Sequence, residues 1–475
     1  MHRRKKESPI MVKTLIATLA ATVLAGCATG AGYQRPVEEL PAQWSAGLQQ
    51  AQDPRQAWAQ WWTRYQDPVL NQLVEAALAD NLDAGIAATR IAEARALLGL
   101  AEAERYPTLS AQVDANRGAP NGALQGGNGV RSNLGVAGTL SYEVDLWGRL
   151  ASASAAARAD LLQVSHAADA VRLGLVADVA STYFDLRALQ QQVATTESTI
   201  DTRRQALALE QSRFRNGAIT QLSLRQAEAE LARAEAQLPT QRAQAQQRAR
   251  ALAVLTGKDA AQVMEPAALP AVDIGRIAFS PAVAERLPSE LLERRPDIRA
   301  AEAGLMANQA RIAEARAAWF PRVDLAATLG SGALTAAGLF SGPAALWQVG
   351  TSALTPLLDF GRRQAQVDTA EARRDRAELQ YRATVRQAFR EVGDAWSLVD
   401  ASSQRLQALN RQVDALQDSA ALADRRYASG HSPYLELLDA RRALYDAQLA
   451  QSEALRDRLS ATATLFKAMG GGWEG

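Results

Sequence analysis

The sequence is poor in the residues that most enzymes and metal sites depend on. Its 475 residues include one cysteine and three histidines. His2 lies in a predicted leader, so only His166 and His431 remain, too few and too far apart for a histidine-based metal site. Gly257-Lys258 lacks the preceding glycine of a phosphate-binding loop, and no dinucleotide-binding motif follows a strand. The sequence therefore predicts no enzyme, no catalytic residue, no metal and no cofactor.

The chain also lacks a strong net charge and has few aromatic residues. The formal charge is +1, and aromatic residues make up 5% of the chain, whereas 48% of residues are hydrophobic. Five basic residues lie within the first 26, so no basic excess remains to bind nucleic acid. Alanine, leucine and valine carry the hydrophobic share, and small side chains allow long helices to pack closely.

The N-terminus has the pattern of a secretory signal peptide over residues 1–26. A basic region precedes an apolar run from Thr14 to Leu24, which is too short to span a bilayer. The run ends in Leu-Ala-Gly before Cys27, a pattern that predicts lipidation of Cys27. With a lipidated Cys27, Ala28 rather than Asp at the next position favours sorting to the outer membrane. The alternative is an ordinary signal peptide that is cleaved near Ala28 or Gly30 and leaves Cys27 without a role.

The rest of the sequence repeats itself at an offset of 213 or 214 residues. The matching landmarks are Tyr106-Pro107 with Phe320-Pro321, Trp147-Gly148-Arg149 with Phe360-Gly361-Arg362, Val179 and Tyr183 with Val392 and Trp396, and residues 213–217 with 426–430. Four landmarks in register indicate a tandem duplication. The predicted divisions are an N-terminal segment (27–66), a first repeat (67–257), an inter-repeat segment (258–295), a second repeat (296–469) and a tail (470–475).

Each repeat has the same predicted order of helix, β-hairpin, long helix, turn and returning helix. In the first repeat, helical periodicity runs from residue 67 to 105, 150 to 214 and 220 to 255, and polar and apolar residues alternate over 109–116 and 133–144. In the second, we expect helices over 296–318, within 357–432 and over 433–469, with strands over 323–329 and 347–355. Gly217 and Gly430 are predicted to close tight turns between antiparallel helices.

Tryptophans are concentrated just before the first repeat, at Trp58, Trp61 and Trp62. Such a cluster packs a junction or lies at a membrane interface. We favour packing as the simpler interpretation.

The four predicted strands require neighbouring chains. Each has about ten residues, the length of a tilted transmembrane β-strand. Four strands cannot close a barrel, and open strand edges are not tolerated in lipid. No segment is long and apolar enough for a transmembrane helix, so we expect several chains to pool their hairpins.

Several motifs together resemble the outer-membrane factor family, which is TolC-like, and in particular its NodT-type lipoproteins. These motifs are the lipobox, Tyr33-Gln34-Arg35-Pro36, residues 143–149 (Glu-Val-Asp-Leu-Trp-Gly-Arg), residues 292–298 (Leu-Glu-Arg-Arg-Pro-Asp-Ile), Asp359-Phe360-Gly361-Arg362 and the Arg-Tyr-x-x-Gly turn. The resemblance implies an α+β membrane protein that forms a homotrimer. Four strands per chain would build a 12-stranded outer-membrane β-barrel, continued by a long periplasmic α-helical barrel with an equatorial domain at 27–66 and 258–295.

The resemblance also implies a gate near the second turn. Acidic residues at the positions of Glu436 and Asp439 constrict the periplasmic tip in that family, and an apolar residue at Leu435 adds to the closure. Tyr427 occupies the aromatic position of a polar latch, for which Arg425 and Arg426 are the nearby candidate partners. The alternative is that the two acids are ordinary exposed helix charges and Leu435 is a packing residue.

The first turn lacks the acidic pair, because Ser223 and Gln226 stand at the corresponding positions. We therefore expect a gate that differs between the repeats.

The predicted function is a passive exit duct for drugs or other small molecules. The expected partners are outer-membrane lipid, a periplasmic adaptor protein and an inner-membrane transporter that supplies energy. One alternative is the outlet of a type I protein-secretion system, which has the same architecture. Another is a structural coiled-coil lipoprotein that tethers the envelope layers, although a tether has no need of amphipathic strands.

Overall fold

The computed structural model describes residues 33–41, 60–118, 130–270, 273–277, 288–341 and 344–471. The predicted signal peptide, Cys27 and Trp58 lie outside these residues. The chain divides into two compact units. One comprises residues 1–38, 91–164 and 300–382, and the other comprises residues 39–90, 165–299 and 383–475.

The described elements follow the predicted order in both repeats. The first repeat contains α1 (Pro68–Asp80), α2 (Leu82–Ala103), β1 (Thr108–Gly118), β2 (Arg131–Val144), α3 (Arg149–Arg215) and α4 (Gln221–Leu255). Then come α5 (Ala260–Met264), α6 (Leu291–Arg294), α7 (Pro296–Ala317), β3 (Arg322–Ala333), β4 (Ala345–Leu354), α8 (Arg362–Ala428) and α9 (Tyr434–Ala468). Helices α3 and α8 have 67 residues each. None of the described helices combines the length and the apolar character needed to cross a membrane.

The predicted helix over residues 67–105 is in fact two helices that meet at Asn81. The Asn81 backbone is extended, with φ −65° and ψ 132°. Its side-chain oxygen accepts hydrogen bonds from the amides of Asp83 and Ala84 at 2.9 and 3.1 Å, which caps α2. The side-chain Nδ2 of Asn81 donates to the Leu255 carbonyl at 3.0 Å and so connects the break to the end of α4. Helical periodicity continues across the break, so the sequence pattern did not reveal it.

Glycines with a positive φ occur at equivalent positions in the two repeats. All six positive-φ glycines among the described residues form three pairs, each 213 residues apart: Gly148 with Gly361, Gly217 with Gly430, and Gly257 with Gly470. The first pair precedes the long helices, the second lies in the turns, and the third follows the returning helices. Glycine adopts this left-handed conformation without the steric cost that a side chain brings.

The four strands form one antiparallel sheet in the order β1-β2-β3-β4. The central β2–β3 pairing joins the two repeats, and β1 and β4 form the edges. One row across the sheet contains Leu109, Leu140, Ala327 and Val349. The neighbouring row contains Ser110, Thr139, Thr328 and Gln348. Because successive residues point to opposite faces, one face is apolar and the other polar across all four strands.

The two described tryptophans of the cluster before the first repeat pack internally. Trp61 and Trp62 are 0% and 6% exposed. Trp61 stacks on Phe466 with a centroid distance of 5.3 Å, and the nearby Tyr65 hydroxyl donates to the Leu459 carbonyl at 3.0 Å. The packing interpretation is therefore confirmed for these two tryptophans.

Candidate channel gate

The two interhelical turns have the same backbone hydrogen bonds. In the first, the amide of Ala218 donates to the Arg213 carbonyl at 2.9 Å, and in the second His431 donates to Arg426 at 2.8 Å. With Gly217 and Gly430 in the left-handed conformation, these bonds form the Schellman ending of a helix. Both glycines thus lie in the tight turns that were predicted from the sequence.

An apolar cluster holds the two turns together. It consists of Ala227, Ala423, Tyr434, Leu437 and Leu438, with Leu207, Tyr427 and Ala440 packed against it. The helices α3 and α4 come from the first repeat, whereas α8 and α9 come from the second. The tips of the two hairpins are therefore fixed to one another within a single chain.

Tyr427 is bonded to the first repeat. Its hydroxyl donates to the Glu210 carboxylate, 2.8 Å from each oxygen, and the Glu210 side chain is only 1% exposed. The Arg213 guanidinium lies 4.8 Å from the Tyr427 ring centroid and 3.5 Å from the same carboxylate. Burial, and then the hydrogen bond to Glu210, raise the pKa of Tyr427 to about 12. We call Glu210, Arg213 and Tyr427 the tip latch.

The arginines predicted as partners of Tyr427 lie elsewhere. The guanidinium of Arg426 is 3.3 Å from the Glu436 carboxylate. Arg425 is exposed, and its side chain has no hydrogen bond or ion pair with any residue that the structure describes. The partners of Tyr427 are therefore not its neighbours in the sequence but Glu210 and Arg213, which lie 217 and 214 positions earlier.

The predicted gate residues lie at the start of α9 and are accessible within the chain. Leu435 is 49% exposed, and the side chains of Glu436 and Asp439 are 44% and 64% exposed. Asp439 lies 3.5 Å from Arg442. The structure places these three residues beside the tip latch, and their role as a gate stays a prediction.

A second buried carboxylate, which was not predicted from the sequence, also joins the repeats. Glu230 on α4 is 4% exposed. The Arg442 Nε on α9 donates to it at 2.8 Å, and a guanidinium nitrogen of Arg203 on α3 lies 3.2 Å from its carboxylate. Because an unpaired buried charge is costly, we expect this pairing to hold α4 against α9.

The residues that the structure describes include no group of three His, Cys, Asp or Glu side chains that could hold a metal ion. The functional features are instead a sheet with one apolar face and long helical hairpins whose turns are bonded together. They define the subunit of a membrane channel.

The chain belongs to the outer membrane efflux protein family. It matches that family over residues 73–258 and 287–471, one stretch for each repeat. The resemblance to outer-membrane factors is thereby confirmed, and so is the fold class of a tandem repeat with four strands and long helices.

Known relatives span almost the whole chain. The solvent efflux pump outer membrane protein SrpC of Pseudomonas putida is 34% identical over 461 residues, covering 96% of this chain and 97% of SrpC. The probable outer membrane lipoprotein SilC of Salmonella typhimurium is 31% identical, covering 95% and 97%. The solved structure of the outer-membrane channel OprN has a TM-score of 0.86 and 29% identity, covering 94% of this chain and 99% of OprN.

Proposed function

We propose that the protein is the outer-membrane channel of a tripartite efflux system and acts as a homotrimer. The observation that carries this proposal is the four-stranded sheet, which has one apolar face and two edge strands, β1 and β4, that each pair on one side only. Lipid offers no hydrogen bonds to such edges. Three copies would supply twelve strands and close the sheet into a barrel with its apolar face toward lipid.

The N-terminus would add a second attachment to the outer membrane. The Leu-Ala-Gly-Cys sequence at residues 24–27 supports acylation at Cys27. SilC, which is similar along almost its whole length, is named as a probable outer membrane lipoprotein. The lipid anchor would hold the N-terminal segment at the membrane that contains the barrel.

The channel itself would be passive. Energy would come from an inner-membrane transporter, and a periplasmic adaptor would connect the transporter to the helical turns. We propose small molecules as the cargo, because SrpC is named for a solvent efflux pump. This relationship favours efflux over protein secretion.

The gate would lie where three copies bring their second turns together. Threefold symmetry would repeat Leu435, Glu436 and Asp439 as rings. Carboxylate rings favour cations, and an apolar ring narrows a pore by excluding water. Opening would move the helices apart at the tips and would break tip contacts.

Single-channel recording in planar bilayers tests this function directly. We expect small, cation-selective openings from the wild type, and larger, less cation-selective openings from Asp439→Ala, which removes one carboxylate ring. Glu228→Ala is the matched control, because Glu228 is an acidic residue near the first turn that pairs with Arg225 at 2.7 Å. Folded, bilayer-inserted protein that conducts in neither form would contradict a channel and favour a structural tether.

A further inference from the structure

An aromatic stack closes the junction between the two repeats. Trp147 follows β2 and stacks on Phe320, which precedes β3, with centroids 4.7 Å apart and ring planes at 20°. The Trp147 indole N–H also donates to the Pro321 carbonyl at 2.8 Å. The stack thus lies at one end of the β2–β3 pairing, where the chain enters α3.

The corresponding aromatic residues at the outer edges of the sheet have no such cover. Phe360 follows β4 at the position of Trp147, and Tyr106 precedes β1 at the position of Phe320. Phe360 is 92% exposed and Tyr106 is 70% exposed. Leu357 is 92% exposed, whereas its counterpart Val144 is half-buried. At the junction, Trp147 is half-buried and Phe320 is 40% exposed, so the aromatic residues at both edges are more exposed than their counterparts between the repeats.

Phe360 is also held in an unusual backbone conformation. Its φ is +53°, in the left-handed region that bulky residues rarely adopt. The next residue, Gly361, has φ +87°. The counterpart of Phe360, Trp147, does not have a positive φ, so this conformation is confined to the β4 edge, and backbone strain of this kind clusters at functional sites.

We propose that a second copy of this chain covers this edge by repeating the β2–β3 junction. Strand β4 of one copy would pair antiparallel with β1 of the next, and Phe360 would stack on Tyr106 of that next copy. This inference rests on the proposed homotrimer and adds to it a register and an aromatic contact. The continuity of the repeat supports it, since each edge is one half of a junction that the chain already contains.

The repeat offsets fix the register. The pairs Thr108↔Ser141 and Arg322↔Leu354 show that the hairpins superimpose with offsets of 214 for the first strand and 213 for the second. In the observed pair Thr139↔Thr328, Thr139 on β2 corresponds to Ser352 on β4, and Thr328 on β3 corresponds to Asp114 on β1. Ser352 would therefore lie opposite Asp114 of the next copy. The same operation on Leu140↔Ala327 places Ala353 opposite Val113.

The two junctions would differ in one hydrogen bond. Phenylalanine has no N–H, so Phe360 cannot donate to the carbonyl of Pro107 as Trp147 donates to that of Pro321. We therefore expect Phe360→Trp to preserve or strengthen the contact between copies. Phe360→Ala, which removes the ring, should weaken it.

Disulfide cross-linking tests the register in the full-length protein. The double variants are Ser352→Cys with Asp114→Cys, and Ala353→Cys with Val113→Cys. Opposed pairs alternate between close and wide spacing, so at least one of these should form covalent dimers and trimers under oxidation. A register control, Ser352→Cys with Asn116→Cys, shifts one partner by two residues and should cross-link at least about fivefold less. Each single-cysteine variant controls for reaction with Cys27.

Native mass and conductance of the same samples separate the two proposals. A trimeric, conducting protein that cross-links no better in the predicted register than in the shifted one would overturn this inference and leave the channel function intact. A monomeric protein that neither cross-links nor conducts would overturn both. For the aromatic contact, we expect trimers of Phe360→Ala to dissociate in detergent at a lower temperature than the wild type and those of Phe360→Trp. Equal dissociation of all three would show that the stack between copies does not form.

Discussion

Replacing Tyr427 with phenylalanine removes one hydroxyl group and leaves the packing of the tip in place. The ring keeps its contacts with Arg213 and with Tyr434, whose centroid is 5.4 Å away. Glu210 loses its hydrogen bond, and because its side chain is 1% exposed, water cannot readily replace that bond. A hydrogen bond to a charged group contributes about 1.5–3 kcal/mol. If the bond exists only in the closed channel, a loss of about 2 kcal/mol raises the open-to-closed ratio about 30-fold.

The assay is the open probability of single channels in planar bilayers. Arg425→Ala is the control, because Arg425 is near in sequence but makes no side-chain bond with any described residue. We expect Tyr427→Phe to open far more often than the wild type, with Arg425→Ala unchanged. If folded Tyr427→Phe has the same open probability as the wild type and Arg425→Ala, the tip latch does not hold the channel closed.

Three further predictions concern the tip and the helix ends. The raised pKa of Tyr427 means that its stabilisation is complete below pH 10 and lost between pH 10 and about 12, so an absorbance titration should show a tyrosine ionising near pH 12 that Tyr427→Phe lacks. Gly257→Ala should greatly lower the yield of folded protein, because the new Cβ would lie 2.2 Å from a carbonyl oxygen of α1, whereas Gly217→Ala meets nothing within 4 Å and should cost about 1–2 kcal/mol. Glu436→Ala with Asp439→Ala should increase susceptibility to bulky antibiotics, and unchanged susceptibility at equal expression would contradict a gate there.

The elements that repeat themselves were the ones that sequence reasoning could predict. Gly217 and Gly430 lie in similar five-residue sequences 213 residues apart, so comparing the two repeats was enough to predict both turns. The strands followed from alternation, which continues for enough residues to exclude a helix. The hairpins were thus predicted in both repeats, although β3 extends to Ala333, beyond the predicted end at residue 329.

The features that sequence reasoning missed depend on contacts between distant segments. Asn81 ends α1 by bonding to both α2 and α4, and nothing in the local periodicity marks it. Glu210 and Glu230 are acids in Ala-rich helices, where the ordinary expectation is a solvated face. Only the packing of the second repeat shows that both are buried and paired with Tyr427 and Arg442.

These two polar links show that the repeats have diverged in complementary ways. Each buried acid comes from the first repeat, and one of its partners, Tyr427 or Arg442, comes from the second. In the other repeat, 213 residues away, none of the four linking residues is conserved as a polar residue. Glu210 corresponds to Ala423, Tyr427 to Phe214, Glu230 to Ala443 and Arg442 to Ala229. In a trimer in which adjacent copies met as the repeats do, the same positions would therefore oppose only apolar residues. Motion between copies would break neither link, whereas motion between the repeats of one chain would break both. A large effect of Tyr427→Phe on opening would thus identify the motion as one within the chain.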